Sequence, residues 1–279
     1  MLIAILRSAR RPIQILLLAI LSLFAATSAS RAALKISAKP TSNVTCSGGA
    51  CTATAKKAVL NVADLQNMLA SGSVAVVSGA QAQDIEIDDA LSWASAQRLT
   101  LDSFHSIAFN KPVSVLAKGA LTITTNDGGF GGDFQFFGTG HVKFSDLSGG
   151  LTINGHFYTL FDKIRALALD IRHNPSGYFA LAKSIDLKKH HYGQALITHE
   201  FSGFFEGLGN TISNMTIADT TGQQIGLFSV LVGPPATIRD IGLTSVSVEA
   251  EKSGVVGSLV GYSNWGTIQN SYATGSVSG

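Results

Sequence analysis

Asp84, Glu86 and Asp88 alternate with Ile85 and Ile87, so on a strand the three carboxylates share one face. Such a face could hold calcium or supply paired acids for cleaving a polysaccharide. No second carboxylate cluster lies one repeat away to complete such a site, so the stripe reads as a solvated outer face of a β surface. His190, His191 and His199-Glu200 are the next candidates. A zinc hydrolase needs His-Glu-x-x-His on a helix, so that both imidazoles face one ion. Here Glu200 is followed by Phe201-Ser202-Gly203, and the second histidine is missing. His190 and His191, being adjacent, would point apart on a strand. There is no Gly-x-Ser-x-Gly elbow. Asp127-Gly128-Gly129-Phe130-Gly131-Gly132 lacks the Lys-Ser/Thr of a phosphate-cradling loop and reads as a flexible turn. Asn43-Val44-Thr45 and Asn214-Met215-Thr216 match the glycosylation pattern, but the second falls inside a repeat, where Asn serves a turn or ladder. These readings nominate no catalytic, cofactor-binding or metal-ligating residue.

Cys46 and Cys51 enclose Ser47-Gly48-Gly49-Ala50. An exported chain with an even cysteine count favours a disulfide between them. The alternative is half of a metal site, but no second pair exists to complete a tetrahedron.

Export is itself an expectation of the N-terminus. Arg7, Arg10 and Arg11 precede an apolar run from Ile13 to Ala26, and small residues follow. That is the layout of a secretory signal peptide spanning residues 1–32, and the run is short for a membrane span. Removing residues 1–32 takes four arginines and no acid, leaving 16 of the 20 basic residues against 18 acids, so the charge passes from +2 to −2. No cluster of Lys and Arg larger than the pairs Lys56-Lys57 and Lys188-Lys189 survives, which argues against a nucleic-acid partner. Charged residues make up only 14%, so Ser, Thr, Asn and Gln carry the polar surface, as suits extended β structure.

Stepping along the chain, residues 33–57 are rich in Ser, Thr, Ala and Lys and read as a flexible leader holding the Cys46–Cys51 loop. Leu65, Met68 and Leu69 form one helical face, with Asn61 as N-cap and Gly72 as stop. From Gly72 to Leu160 the apolar period drops to two, giving short strands around Val74, Ile85, Leu99, Ile107, Val113, Leu121, Phe134, Val142 and Leu151. The triplet Leu-Thr-[Leu/Ile] recurs at 99, 121 and 151. Leu160, Ile164, Leu167 and Ile171 then make a helical stripe, with Thr159 as cap and an end at Asn174. Phe201, Phe204, Phe205 and Leu208 read as core.

The last third repeats the phrase Thr-Ile-x-[Asn/Asp], at Thr211-Ile212-Ser213-Asn214, Thr237-Ile238-Arg239-Asp240 and Thr267-Ile268-Gln269-Asn270. The isoleucines are 26 and then 30 residues apart, and the clips Gly226-Leu227-Phe228 and Gly257-Ser258-Leu259-Val260-Gly261 start 31 apart. A period of this size marks a stacked array, in which one unit buries its apolar face only against its neighbour. Ile212, Ile238 and Ile268 are expected to line up in adjoining turns.

Gly257-Ser258-Leu259-Val260-Gly261-Tyr262-Ser263-Asn264, followed by Gly266-Thr267-Ile268-Gln269-Asn270-Ser271-Tyr272-Ala273-Thr274-Gly275-Ser276-Val277, resembles the GLUG repeat of bacterial surface proteins. Ala90-Leu91-Ser92-Trp93, Leu99-Thr100-Leu101-Asp102 and Leu151-Thr152-Ile153-Asn154-Gly155 resemble the stalk of filamentous-haemagglutinin-type adhesins, although the Asn-Pro-Asn-Leu type motif of their secretion domain is missing. These resemblances imply an exported, non-enzymatic adhesin. Its partners would be a host or neighbouring-cell surface glycan or protein and an outer-membrane secretion partner.

The fold expected is all-β: a β-helix or solenoid of stacked short strands with one N-terminal capping helix and one mid-chain helix. A stalk-like region would span 58–174 and a GLUG-like array 175–279. The array ends after Thr274-Gly275-Ser276-Val277-Ser278 without a polar cap, so it is expected to be cut short and to self-associate through an open final coil. A polysaccharide-active β-helix using Asp84, Glu86 or Asp88, or an accessory module of a larger secreted protein, is the alternative.

Overall fold

A computed structural model describes residues 32–188, 190–220, 224–251 and 254–279. Residues 1–31, which hold nearly all of the expected signal peptide, lie outside the described residues. The described chain is mostly β, with parallel sheets and three short helices.

Between Asp84 and Ile153 the chain visits three sheets in the same order three times. Asp84–Ile87, Ile107–Phe109 and Phe134–Phe136 join one sheet. Leu91–Trp93, Val113–Val115 and Val142–Phe144 form the second. Arg98–Asp102, Ala120–Thr124 and Gly150–Ile153 belong to the third. That third sheet continues through Tyr178–Leu181, Phe204–Glu206 and Thr237–Arg239 to Thr267–Gln269, eleven strands in all. The parallel partners beyond the first strand are 20 to 33 residues apart in sequence. Two local pairs are antiparallel, Val44–Ser47 with Ala50–Ala53 and Gly150–Ile153 with His156–Phe161.

The register follows from the period-two alternation. Leu99, Leu121 and Leu151 are successive ladder partners, as are Leu101, Ile123 and Ile153. All six are buried, while the threonines between them face outward. A slip by one residue would turn every leucine to solvent, losing about 1.5–3 kcal/mol for each.

Helix α1 (Val62–Ser71) starts where Asn61 accepts hydrogen bonds from the amides of Ala63 and Asp64, and it buries Leu65 and Leu69. Helix α2 (Gly79–Ala82) is a third helix beyond the two expected, a single turn too short to leave a periodic signal. Helix α3 (Ile164–His173) buries Ile164, Leu167 and Ile171 but begins after Lys163. Thr159 does not cap it. Thr159, Leu160 and Phe161 instead pair in parallel with Phe179, Ala180 and Leu181, and this ladder claims them first.

Two other expectations are corrected. The leader expected over residues 33–57 is corrected at its start: Ala33–Ser37 lies between Lys57–Asn61 and Asp84–Ile87 and buries Leu34 and Ile36 completely, while residues 38–50 are mostly exposed. The alternation Leu34-Lys35-Ile36-Ser37 is a strand pattern that composition masked. The three isoleucines do not form one column: Ile238 pairs with Ile268, but Ile212 pairs with Ile185 and Leu243. At three of its four occurrences the shared phrase instead ends in a local bend. Asn214, Asp240 and Asn270 all adopt positive φ, at 57°, 54° and 48°, whereas Asp219, which closes the fourth match at Thr216-Ile217-Ala218-Asp219, stays in its strand. Asn and Asp tolerate this left-handed conformation best among residues bearing a side chain. Those three copies run strand, then corner, and different corners of the chain use them.

Candidate functional site

Asp84, Glu86 and Asp88 do share a face, but they are engaged. Lys35 from the neighbouring strand pairs with Glu86 and, at 3.0 Å, with Asp88, which also accepts a 2.7 Å bond from Asn110. Burial alone would lower the lysine pKa; the two carboxylates outweigh it and raise it. Asp84 accepts from the Ser106 amide at 2.9 Å and meets His105 Nδ1 at 2.8 Å. The Ser106 hydroxyl also reaches Nδ1, at 2.8 Å. A nucleophile relay needs acid and hydroxyl on opposite ring nitrogens, so Asp84, His105 and Ser106 do not form one.

His191 lies on a short strand paired with Thr216, and the His190 amide donates to the Leu187 carbonyl. His199 meets the Thr198 hydroxyl at 3.4 Å. Among the described residues no group of three or more His, Cys, Asp or Glu is placed to hold a metal. Cys46 and Cys51 are joined in a disulfide across facing positions of a hairpin. The glycine loop 127–132 is closed by Asn126, which ties Gly132 through both its side-chain oxygen and nitrogen. A Cβ at Gly132 would lie 2.2 Å from the His105 carbonyl oxygen, so only glycine lets the loop stack on the turn beneath.

The strongest polar assembly was not visible in the sequence. Glu206 and Arg239 are register partners on adjacent strands, and Asp240 turns the corner after Arg239. Asp133, 106 residues before Arg239, closes the group. The Arg239 guanidinium donates to both Asp133 oxygens at 2.9 Å and to the Phe134 carbonyl at 2.9 Å. Its Nε donates to Asp240 and lies 3.4 Å from Glu206. The guanidinium carbon also sits 4.1 Å from the centre of the Phe134 ring. Three carboxylates therefore surround one cation. Burial, then repulsion from Asp240, holds the Glu206 carboxyl well above the usual range despite the nearby arginine. Burial raises Asp240 as well. Burial also raises the Tyr158 phenol, with Glu206 adding to the shift. The only sequence signal was an acid inside the apolar run Phe204-Phe205-Glu206.

This cluster backs an open cleft of about 460 Å³. Phe136 and Phe137 line one side and Tyr272 lines another, with Gln135, Asp240 and Asn270 as polar contributors. Among the described residues no Lys or Arg lines it. The arrangement offers apolar rings, amides and one held carboxylate.

No family model matches the chain, and no solved structure does. Among curated proteins, Halomucin from Haloquadratum walsbyi is 33% identical over 129 residues, covering 46% of this chain and 1% of that protein. The chain thus corresponds to a very small part of this relative.

Proposed function

We propose that the chain is an exported, adhesin-like β-solenoid with no catalytic activity, which presents a long, weakly charged surface to a glycan or protein on another cell. The observation that carries this reading is the ladder register. Partners such as Leu99, Leu121 and Leu151, or Leu243 and Ala273, recur 22 to 30 residues on, so each turn uses its predecessor as a floor. The arginine-led apolar N-terminus and the Cys46–Cys51 disulfide support export. Among the described residues no helix is long and apolar enough to cross a membrane. The resemblance of residues 257–277 to the GLUG repeat supports a surface role. The acids of the alternative enzyme have Lys35, Asn110 and the Ser106 amide as partners, which supports the non-enzymatic reading.

The test is expression of the full chain in a bacterial host, followed by fractionation, cell-binding assays and a glycan-cleavage panel. The expected product is N-terminally processed, lies outside the cytoplasm, binds cells and cleaves no glycan. An unprocessed cytoplasmic chain would overturn export. Cleavage abolished by Asp84→Asn or Glu86→Gln would overturn the non-enzymatic reading.

A further inference from the structure

The cleft beside Asp240 is lined by two aromatic rings seated on glycines. A Cβ at Gly209 would lie 2.9 Å from Phe136 Cγ, and one at Gly242 would lie 2.6 Å from Tyr272 Cζ. Each ring therefore rests directly on backbone, and a side chain at either glycine would push it out of place. Phe136 is fixed further by stacking on Phe109, with centroids 4.8 Å apart. Tyr272 is 55% exposed, so its ring is available to a ligand. Between these walls lies Asp240, buried and held by Arg239, with the exposed amides of Asn270 and Gln135 at the rim.

We propose that this cleft binds a neutral saccharide, which names the ligand and the place for the adhesin reading above and rests on it. A sugar ring has an apolar C–H face and an edge of hydroxyls. The exposed ring of Tyr272 suits the face, with Phe136, held between Gly209 and Phe109, as an apolar wall. The side-chain amides of Gln135 and Asn270 accept from and donate to the hydroxyls, while the Asp240 carboxylate, 3% exposed and bonded to Arg239 and Asn270, positions Asn270. Charge excludes the anionic alternatives. Among the described residues the lining holds no Lys or Arg, and the cation behind it, Arg239, already serves Asp133, Asp240 and the Phe134 carbonyl. A phosphate, sulfate or uronate would lie near a carboxylate and find no free cation among those residues. The volume, about 460 Å³, falls in the range of small-molecule sites.

The experiment is calorimetric titration of the full chain with D-galactose, D-mannose and N-acetyl-D-glucosamine, and with D-glucuronate and glucose 6-phosphate as charged comparisons. Tyr272→Ala and Asn270→Ala probe the cleft. Tyr262→Ala is the control, an exposed tyrosine outside the lining. Circular dichroism verifies that each variant is folded; if Tyr272→Ala is not, Asn270→Ala decides. At least one neutral sugar is expected to bind, about tenfold more weakly to Tyr272→Ala, with Tyr262→Ala unchanged and the charged sugars weaker. The proposal is overturned by absence of neutral-sugar binding at millimolar concentration, by tighter binding of a charged sugar, or by binding that the cleft variants leave intact. If the chain is still exported and binds cells in those cases, only the cleft assignment fails. A chain retained in the cytoplasm overturns the adhesin reading on which it rests.

Discussion

Arg239→Met removes the only cation from a group of three carboxylates while keeping an unbranched side chain to fill the space. In the native chain the guanidinium makes two 2.9 Å bonds to Asp133, a third to the Phe134 carbonyl and one to Asp240, with Glu206 at 3.4 Å. Its side chain is 15% exposed, that of Asp240 3% and that of Glu206 1%, so water screens these three poorly, while Asp133, at 37%, is partly solvated. Removing one partner of such a buried pair costs about 3–5 kcal/mol, because the remaining charges are stranded. The assay is urea unfolding followed by tryptophan fluorescence, which reports on buried Trp93. At pH 7 the variant should lose about 3–5 kcal/mol, and the loss should shrink as the pH falls and the stranded carboxyls take up protons. A loss under about 1 kcal/mol, or one that grows on acidification, would refute the claim that this cluster ties Asp133 to the later repeats.

Glu206→Gln should flatten the pH dependence of stability. The folded pKa of Glu206 lies above its ordinary 4.5, so between the two values the folded state binds more protons than the unfolded state. Its contribution is therefore present below about pH 4.5 and fades as pH rises through the raised value; an unchanged pH profile in the variant contradicts this. Asn154→Ala should cost about 2 kcal/mol, since Asn154 holds φ at 47° and accepts the Thr125 amide at 2.9 Å; Asn154→Gly should recover the backbone part. Equal losses in the two variants would argue against a backbone cost. Gly132→Ala should lose about 1–3 kcal/mol through its clash with His105, while Gly193→Ala, with open space around it, should change stability by less than about 0.5 kcal/mol. Urea midpoints of the pair decide between them.

The strands of the first half were legible because each turn repeats the same local demand, apolar in and polar out. Leu99-Thr100-Leu101 announces its face without reference to any partner, and Asn61 and Gly72 bound α1 through bonds only a few residues long. What the sequence hid is non-local. Ala33–Ser37 is buried only because strands starting at Lys57 and Asp84 flank it. Arg239 finds Asp133 across 106 residues, a distance over which no spacing rule operates. The Thr-Ile-x-[Asn/Asp] phrase misled about register for a different reason. Three of its four occurrences end in a corner, which more than one corner of a turn requires, and the fourth, Thr216–Asp219, is strand throughout, so matching phrases need not be ladder neighbours. The cleft was hidden as well: its rings come from Phe136 and Tyr272, and the glycines that seat them read in sequence only as repeat punctuation.

Paired cysteines at outward-facing ladder positions test the stacking most directly. Thr100 and Thr122 are neighbours in the third sheet, and Thr152 lies one strand beyond. Adjacent strands are about 4.8 Å apart, within disulfide reach, and alternate strands are about twice that, outside it. Peptide mapping by mass spectrometry should find a disulfide under mild oxidation in Thr100→Cys/Thr122→Cys and none in Thr100→Cys/Thr152→Cys. A bond in the second pair, or free thiols in the first, would contradict the stacked register.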